Sequence, residues 1–238
     1  MTRRYLLYGS ERYALAILRP LQRAIRARGD EAAWFFDGPG AEDLAQDERL
    51  LRTVPEVKEF GALATFTPGN LVPDFFPGVK VMVFHGFNAG KPRHIYIRGF
   101  FDLYCTTGPQ ETRDFGRLAE QSGHFAVAET GWPKLDPFFP PRSTTDPDRP
   151  AVLYHSTFSP SWSAAETLYE TVRDLSRTGK WRWVVTFHPK MARSTIEKFA
   201  ALEGPHLHFS RDDNILTLYP GADVMVSDTS SALSEFLL

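Results

Sequence analysis

The sequence predicts an α/β protein built from two Rossmann-like domains that face a cleft. Two observations lead to this prediction. Strand-like and helix-like runs alternate along the whole chain, which is the pattern of parallel sheets covered by helices. A stretch with five prolines at 134–150 then interrupts the alternation, and a new strand follows it, as expected of a linker. We therefore predict domains at 1–140 and 150–238, with a ligand beyond the carboxyl ends of the strands.

The first domain is predicted to contain six strands, a long helix after the first strand and two further helices. The long helix is expected to end at Gly29 and to be kinked or restarted at Pro20, because proline removes a helical hydrogen bond. The acidic run 41–49 is predicted as a surface helix. The predicted strands are 4–9, 31–38, 62–69, 79–86, 101–109 and 124–133, and the third helix covers 110–121.

The second domain repeats the alternation on a smaller scale. Its predicted strands are 151–158, 181–189, 206–210 and 222–228. Its predicted helices are 163–178, 191–203 and 214–221, with a last one that begins near Ser230. Gly179 and Gly204 are expected to end the first two of these helices, since glycine readily adopts the left-handed conformation of a helix terminus.

The composition excludes several classes of protein. With 238 residues, 42% of them hydrophobic, the chain can bury a substantial core. A net charge of −2 argues against wholesale nucleic-acid binding. The single cysteine, Cys105, cannot form an internal disulfide, which indicates a reducing compartment. We find no signal peptide and no apolar run of about 20 residues, so the expected location is the cytoplasm.

Two histidines at predicted strand ends are candidate catalytic groups. His85 is followed by Gly86 and, further on, by Lys91; glycine lets a ligand approach the backbone, and an imidazole can act as a general base. His188 precedes Pro189 and Lys190, a combination that could bind a phosphoryl oxygen. The alternative for His85 is a histidine that caps a strand end by hydrogen-bonding nearby backbone. The alternative for His188 is a buried histidine beside a solvated lysine.

The polar run 227–231 lies between the last predicted strand and the last predicted helix. A helix N-terminus has unpaired N–H groups and a partial positive charge, so phosphate binds there readily. The hydroxyls of Thr229, Ser230 and Ser231, beside Asp228, would add contacts to such a ligand. The alternative is that one of these residues merely caps the helix.

Other features are less specific. The remaining histidines have no metal-ligand spacing, so no metal is expected, and the first turn has one glycine rather than a dinucleotide fingerprint. Basic residues give the first helix one charged side. We interpret this side as a solvated face, with contact to an anionic membrane as the alternative. The pair Phe75 and Phe76 is expected in the core, with a membrane anchor as the alternative.

Taken together, the motifs resemble the CDP-glycerol glycerophosphotransferase family, which includes the teichoic-acid primases and polymerases. The resemblance covers roughly 79–238, and 1–78 only in layout. Its motifs include His85-Gly86, Gly131-Trp132-Pro133-Lys134, His188-Pro189-Lys190 and Ser227-Asp228-Thr229-Ser230-Ser231. The chain differs from the family at Thr229, where tyrosine is common, and at Ser156-Thr157, where Pro-Thr is common.

The resemblance implies the GT-B fold and a phosphoryl transfer without a cofactor. A hydroxyl of a lipid-linked acceptor would attack the glycerol-bearing phosphorus of CDP-glycerol, or of a related CDP-alditol, and CMP would leave. It implies that His85 is the base and that His188 stabilises the phosphoryl or leaving group. Ser230 and Ser231 would hold the diphosphate, with Lys91, Lys190 and Gly86 near the substrates. Such an enzyme would work in the cytoplasm, at the inner face of the cell membrane.

Two alternative hypotheses about the function remain open for the same residues. One is another GT-B enzyme, such as a UDP-N-acetylglucosamine 2-epimerase or a nucleotide-sugar glycosyltransferase. The other is an inactive nucleotide-binding relative. Family members continue past the last helix, whereas this sequence stops at Leu238, which predicts a second domain truncated at its C-terminal end.

Overall fold

The computed structural model of the chain describes residues 2–86, 95–139, 146, 148–212, 214–228 and 230–237. Its contacts divide the chain into two compact units, residues 1–137 and 138–238. Each unit is a parallel sheet with helices packed on it, so the predicted fold class, two Rossmann-like α/β domains, is confirmed. Two positions of predicted importance, Lys91 and Thr229, lie outside the described residues.

The first unit contains a six-stranded sheet in the order β2-β1-β3-β4-β5-β6, with every pair of strands parallel. Its strands are β1 (Arg4–Gly9), β2 (Glu31–Phe36), β3 (Ala64–Thr67), β4 (Val79–Met82), β5 (Leu103–Thr106) and β6 (Ala126–Glu129). Its helices are α1 (Tyr13–Ala27), α2 (Val54–Phe60) and α3 (Pro109–Ser122). The strand order reverses between β1 and β3, and ligands of open α/β sheets bind beyond the carboxyl ends of strands at such a switch point.

An aromatic cluster fills the core of the first unit beneath β5. The ring of Tyr104, fully buried, stacks on Phe115 of α3 with 4.9 Å between centroids. Phe84, Phe101 and Phe125 pack around the same ring. Large aromatic side chains bury about 150–250 Å² each, so this cluster anchors α3 and the segment after β4 to the sheet.

The charged side of α1 pairs with the acidic run that follows β2. Arg12 contacts Glu42 at 2.6 Å, Arg19 contacts Glu48 at 2.8 Å, and Arg26 contacts Asp47 at 2.6 Å. The Arg26 hydrogen bond holds the pKa of Asp47 below its ordinary value.

The acidic run was therefore wrongly predicted as a helix: only a 3₁₀ turn forms, at Ala41–Asp43. Its carboxylates instead pair with the arginines of α1. The basic side of α1 is thus turned toward acidic partners within its own unit. Pro20 lies inside α1 without ending it.

The second unit contains a four-stranded parallel sheet in the order β10-β7-β8-β9. Its strands are β7 (Ala151–Ser156), β8 (Arg182–Phe187), β9 (Leu207–Phe209) and β10 (Val224–Ser227), and its helices are α4 (Ala165–Arg177), α5 (Arg193–Ala200) and α6 (Ser231–Phe236). Every residue of β7 is buried, as expected of a central strand covered on both faces. The strand order reverses between β7 and β10, which makes their carboxyl ends the switch point of this unit.

Two predicted helices of the second unit differ in the structure. The segment 191–203 is helical only over Arg193–Ala200, and Gly204 instead forms a bridge with Leu207. The segment 214–221 is a 3₁₀ helix, Ile215–Gly221, which begins at Asn214, whose side chain accepts a hydrogen bond from the Leu216 N–H. Pro220 lies in that 3₁₀ helix, and proline cannot supply the N–H that a longer α-helix would need.

The two phenylalanines of the predicted loop have different surroundings. Phe76 is 2% exposed and packs edge-on against Tyr8 and Phe35, whereas Phe75 is 51% exposed. One ring thus belongs to the core, as predicted, and its neighbour faces outward. Within the part of the chain that the structure describes, no helix is both long and apolar enough to cross a bilayer.

We expect Gly78→Ala to destabilise the first unit strongly. Gly78 has a φ of +74°, and a Cβ placed there would lie 2.3 Å from the carbonyl carbon of Leu63. Val79 donates a hydrogen bond to the same Leu63 carbonyl, so this backbone cannot move without disturbing the pairing of β4. The left-handed backbone and the clash together should cost about 4 kcal/mol in the free energy of unfolding, measured in urea.

Gly123→Ala is the matched control for that substitution. Gly123 also has a positive φ, +68°, but no heavy atom lies within 4 Å of the position its Cβ would take. Its replacement should therefore cost only about 1 kcal/mol, the price of the backbone conformation. Equal losses in the two variants would show that the close approach at Leu63 is relieved at little cost.

Candidate functional site

His85 lies at the switch point of the first unit. It follows β4 by three residues, and its Nδ1 lies 2.8 Å from the carbonyl oxygen of Pro68, directly after β3. Its ring is 5.3 Å from that of Tyr13, which opens α1 after β1. The side chain is exposed. The imidazole is therefore held at the carboxyl edge of the sheet by elements from both sides of the reversal in strand order.

The Pro68 contact decides which nitrogen of His85 can take up a proton. A carbonyl oxygen only accepts hydrogen bonds, so Nδ1 must carry the hydrogen. In the neutral ring the lone pair is then on Nε2. The hydrogen-bond network thus assigns His85 the tautomer with its hydrogen on Nδ1.

The backbone just before His85 is strained. Phe84 has a φ of +57°, and it is the one non-glycine residue with positive φ in the described part of the chain. A left-handed conformation costs a non-glycine residue about 1–2 kcal/mol. The buried ring of Phe84, 5.3 Å from Phe115 and 6.1 Å from Tyr104, offsets this cost by packing in the aromatic core. Strain of this kind concentrates at functional sites, where it redirects a side chain.

A buried arginine behind His85 was not singled out from the sequence. Arg98 is only 5% exposed, and its guanidinium lies 5.5 Å from the ring centre of Phe84. Its Nε donates to Oδ1 of Asn70 at 2.9 Å. Its backbone N–H donates to the hydroxyl of Tyr104, and that hydroxyl donates to the Arg98 carbonyl oxygen. Arg98 thus ties the segment after β3 to the residue that aims His85. Nothing local in its sequence signals this role. Gly86 is buried beside the same site.

His188 occupies the corresponding position in the second unit, directly after β8. Its ring lies 4.5 Å from that of Phe158, which follows β7. The backbone N–H of Lys190 donates to its Nδ1 at 3.1 Å. Because Nδ1 accepts this bond, it carries no hydrogen, and the hydrogen of the neutral ring is on Nε2. His188 therefore presents Nε2 as a hydrogen-bond donor.

A pocket of about 360 Å³ opens beside His188 at the carboxyl ends of β8 and β9. Its lining includes the buried Phe187 and Phe209 together with the exposed Arg211 and Asp212, so it combines apolar and charged residues. Its volume is within the range of about 300–1,000 Å³ found for ligand pockets. The lining residues are Thr186, Phe187, His188, Pro189, Ile196, Phe209, Ser210, Arg211 and Asp212.

Asp228 bridges the two strands at the switch point of the second unit. Its carboxylate accepts hydrogen bonds from the Thr157 N–H at 2.9 Å, from the Ala164 N–H at 3.0 Å and from the hydroxyl of Ser156. These donors belong to the end of β7 and to the start of α4. A carboxylate with this many internal donors is fixed in place. The geometry therefore favours a positioning role for Asp228 over direct contact with an anionic substrate.

The two serines predicted to hold a diphosphate stand at the start of α6. The hydroxyl of Ser230 accepts a hydrogen bond from the Ala232 N–H at 3.3 Å, which is the arrangement of an N-cap. Ser231 is the first residue of the helix. The capping alternative is thus the arrangement the structure has for Ser230. Lys190, also predicted near the substrate, is exposed.

Among the described residues, no three histidine, cysteine, aspartate or glutamate side chains lie close enough together to hold a metal ion. Two tyrosines belong to these strand ends: Tyr13 lies beside His85, and Tyr154 lies in β7. Burial raises the pKa of Tyr13, and burial with the nearby Asp228 charge raises the pKa of Tyr154. Both phenols therefore stay protonated at neutral pH and can only donate or accept hydrogen bonds there.

No protein-family model matches the sequence. No curated protein matches it in sequence either. The structure, in contrast, resembles several solved ones. It aligns with a protein assigned as a UDP-N-acetylglucosamine 2-epimerase from Listeria monocytogenes, with a TM-score of 0.67 and 10% identity over 99% of this chain and 77% of that one.

Two further structures align over the whole chain. MnaA of S. aureus in complex with UDP gives a TM-score of 0.65 at 11% identity, over 99% of this chain and 77% of that one. The wall teichoic acid polymerase TagF gives 0.58 at 14% identity, over 99% and 68%. The chain has the GT-B fold. Identities this low show the fold and leave the reaction to the residues of the site.

Proposed function

We propose that the chain transfers glycerol phosphate from CDP-glycerol, or a related CDP-alditol, to a hydroxyl of a lipid-linked acceptor. The observation that carries the proposal is the pair of histidines, one at the carboxyl edge of each sheet, held with opposite nitrogens protonated. His85 has its lone pair on Nε2, and His188 has its hydrogen there. A hydroxyl that attacks phosphorus needs a group to take its proton and a group to stabilise charge.

In the proposed reaction, His85 Nε2 accepts the proton of the acceptor hydroxyl. The acceptor oxygen then forms a bond to the glycerol-bearing phosphorus, and the bond from that phosphorus to the bridging oxygen breaks. CMP leaves with the bridging oxygen and its electron pair. His188 Nε2–H donates to an oxygen of the phosphoryl or leaving group, where negative charge accumulates. Phosphoryl transfer depends chiefly on such positioning and charge stabilisation.

The second unit is the proposed donor-binding unit. Its pocket beside His188 offers an apolar lining for a base and the cation of Arg211 for a phosphate or carbonyl oxygen. The first unit, with His85, is the proposed acceptor-side unit. Lys190 and Ser231 are proposed to approach the diphosphate, whereas Ser230 shares its hydroxyl with the cap of α6. Attachment to the inner face of the membrane is part of this proposal because the acceptor is lipid-linked.

The proposal is tested by calorimetric titration of the chain with CDP-glycerol, CMP and UDP-N-acetylglucosamine under identical conditions. Binding that selects cytidine nucleotides supports it. Preference for UDP-N-acetylglucosamine would favour the epimerase or glycosyltransferase alternative, with which the fold is equally compatible. Binding of CMP without turnover of CDP-glycerol, in the presence of a glycerol-phosphate acceptor, would favour the inactive nucleotide-binding relative.

We expect Arg211→Gln to weaken CDP-glycerol binding about tenfold, which is about 1.4 kcal/mol. The reason is the loss of a cation at the rim of the pocket. Arg177→Gln, at the opposite end of the sheet in the last turn of α4, is the matched control and should leave affinity unchanged. Equal affinity of both variants and the unmodified chain would remove Arg211 from the donor site.

A further inference from the structure

The loop between β7 and α4, residues 157–164, is held at both ends by one carboxylate. Asp228 Oδ1 accepts from the N–H of Thr157, the first residue of the loop, at 2.9 Å. Asp228 Oδ2 accepts from the N–H of Ala164, its last residue, at 3.0 Å. The two ends are thereby fixed to a single side chain, directly after β10. We call residues 157–164 the clamped loop.

The clamped loop contacts His188 through its second residue. Phe158 follows Thr157 directly, and its ring lies 4.5 Å from the imidazole of His188, at an interplanar angle of 40°. The Lys190 N–H, which donates to Nδ1, also holds the imidazole. The hydrogen bond sets which nitrogen carries the hydrogen, and the ring contact limits rotation of the plane. Both are needed to aim Nε2–H within the few tenths of an ångström that catalysis demands.

The charge of Asp228 suits this structural task. Its carboxylate lies against the N-terminus of α4, where the helix dipole favours negative charge. It also accepts from the hydroxyl of Ser156, which in turn contacts the hydroxyl of Ser163 at 2.8 Å. The side chain thus joins β10, β7, the clamped loop and α4 at the switch point. An incoming phosphate would be repelled by it.

We propose that Asp228 is a positioning residue for His188, acting through the clamped loop and the ring of Phe158. The expected effect on activity rests on the proposed function of His188. The structural half of the proposal, that Asp228 fixes the orientation of the imidazole, does not depend on that function. Loss of the clamp frees Thr157, Phe158 then moves, and the imidazole samples other orientations. The sequence offers no hint of this connection, because Asp228 and Thr157 are 71 residues apart.

The test compares Asp228→Asn with Asp223→Asn in the full chain. Asp223 makes the equivalent bridge at the other end of the same strand pair, where its Oδ2 accepts from the Ala151 N–H at 2.7 Å. Ring-nitrogen NMR of the histidines reports the His188 tautomer without any substrate. We expect Asp228→Asn to shift the His188 ring signals and to speed chymotrypsin cleavage at Phe158 and Trp162. Asp223→Asn should change neither.

Turnover of CDP-glycerol adds a second readout. Asp228→Asn should lower kcat about 10- to 100-fold, as expected for a misplaced catalytic group. The donor KM should stay within about threefold, because no contact with substrate is lost. A raised KM with an unchanged kcat would instead make Asp228 a substrate contact and overturn the proposal. If the unmodified chain does not turn over CDP-glycerol, the proposed function fails while the NMR result still decides the structural half.

Phe158→Leu separates the proposed link from general damage. It should reproduce the His188 signal shift by itself, and adding Asp228→Asn to it should have little further effect, because both act on one path. If Asp228→Asn does not fold, Phe158→Leu still carries the test. Unchanged His188 signals in folded Asp228→Asn, or in Phe158→Leu, would overturn the proposal.

Discussion

Replacement of His85 by alanine is expected to lower kcat for glycerol-phosphate transfer by about 10²- to 10⁴-fold, the usual contribution of a general base. His85→Gln should be no better, since an amide offers no basic nitrogen at the position of Nε2. A base must be deprotonated to act, so the fall in kcat toward acid pH should disappear in both variants. The measurement is the pH dependence of kcat with CDP-glycerol and a glycerol-phosphate acceptor.

His124→Ala is the control for the His85 variants. His124 is also an exposed histidine of the first unit, and its Nδ1 also faces a backbone carbonyl, that of Ser122 at 3.4 Å. Its removal should leave kcat and the pH profile unchanged. If His85→Ala kept near-normal turnover and the same fall in kcat toward acid pH, another group would have to be the base. The tautomer of His85 would then have no role in the reaction.

Variants of His188 are expected to keep activity only where the new side chain can donate a hydrogen bond from the position of Nε2. His188→Ala should lower kcat about 10²- to 10³-fold, the usual cost of removing one donor to developing negative charge. In His188→Gln the side-chain NH₂ can reach the position of Nε2, so part of the activity should remain. In His188→Asn the amide reaches only the position of Nδ1, and activity should fall to that of the alanine variant.

The order Gln above Asn is the informative part of this prediction. It follows from the Lys190 N–H bond to Nδ1, which leaves the hydrogen of the neutral ring on Nε2. Equal activity of the two variants, or Asn above Gln, would mean that the nitrogen in use is Nδ1. His208→Ala is the control: His208 is an exposed histidine of the same unit, paired with Glu203, and it should leave turnover unchanged.

The sequence by itself was sufficient for the fold class and for the positions of the strands in both sheets. Alternating strand and helix patterns depend on local periodicity, and each strand sits within a few residues of its predicted place. The ends of strands could also be located, and with them His85 and His188. Prediction failed where a segment is governed by distant partners. The run 41–49 has helical composition, but its acidic groups contact arginines on α1 that lie more than twenty positions earlier.

The finer properties of the site were decided only by the tertiary structure. The tautomer of His85 depends on a carbonyl 17 residues away, and the anchoring of the clamped loop depends on a carboxylate 71 residues away. Neither contact leaves a local pattern, because hydrogen bonds between strand ends are set by sheet order and register. The hydroxyl-rich run 227–231 shows the same limit. Its residue types fit both a phosphate site and a helix cap, and the position of Ser230 over the Ala232 N–H is a matter of backbone geometry alone.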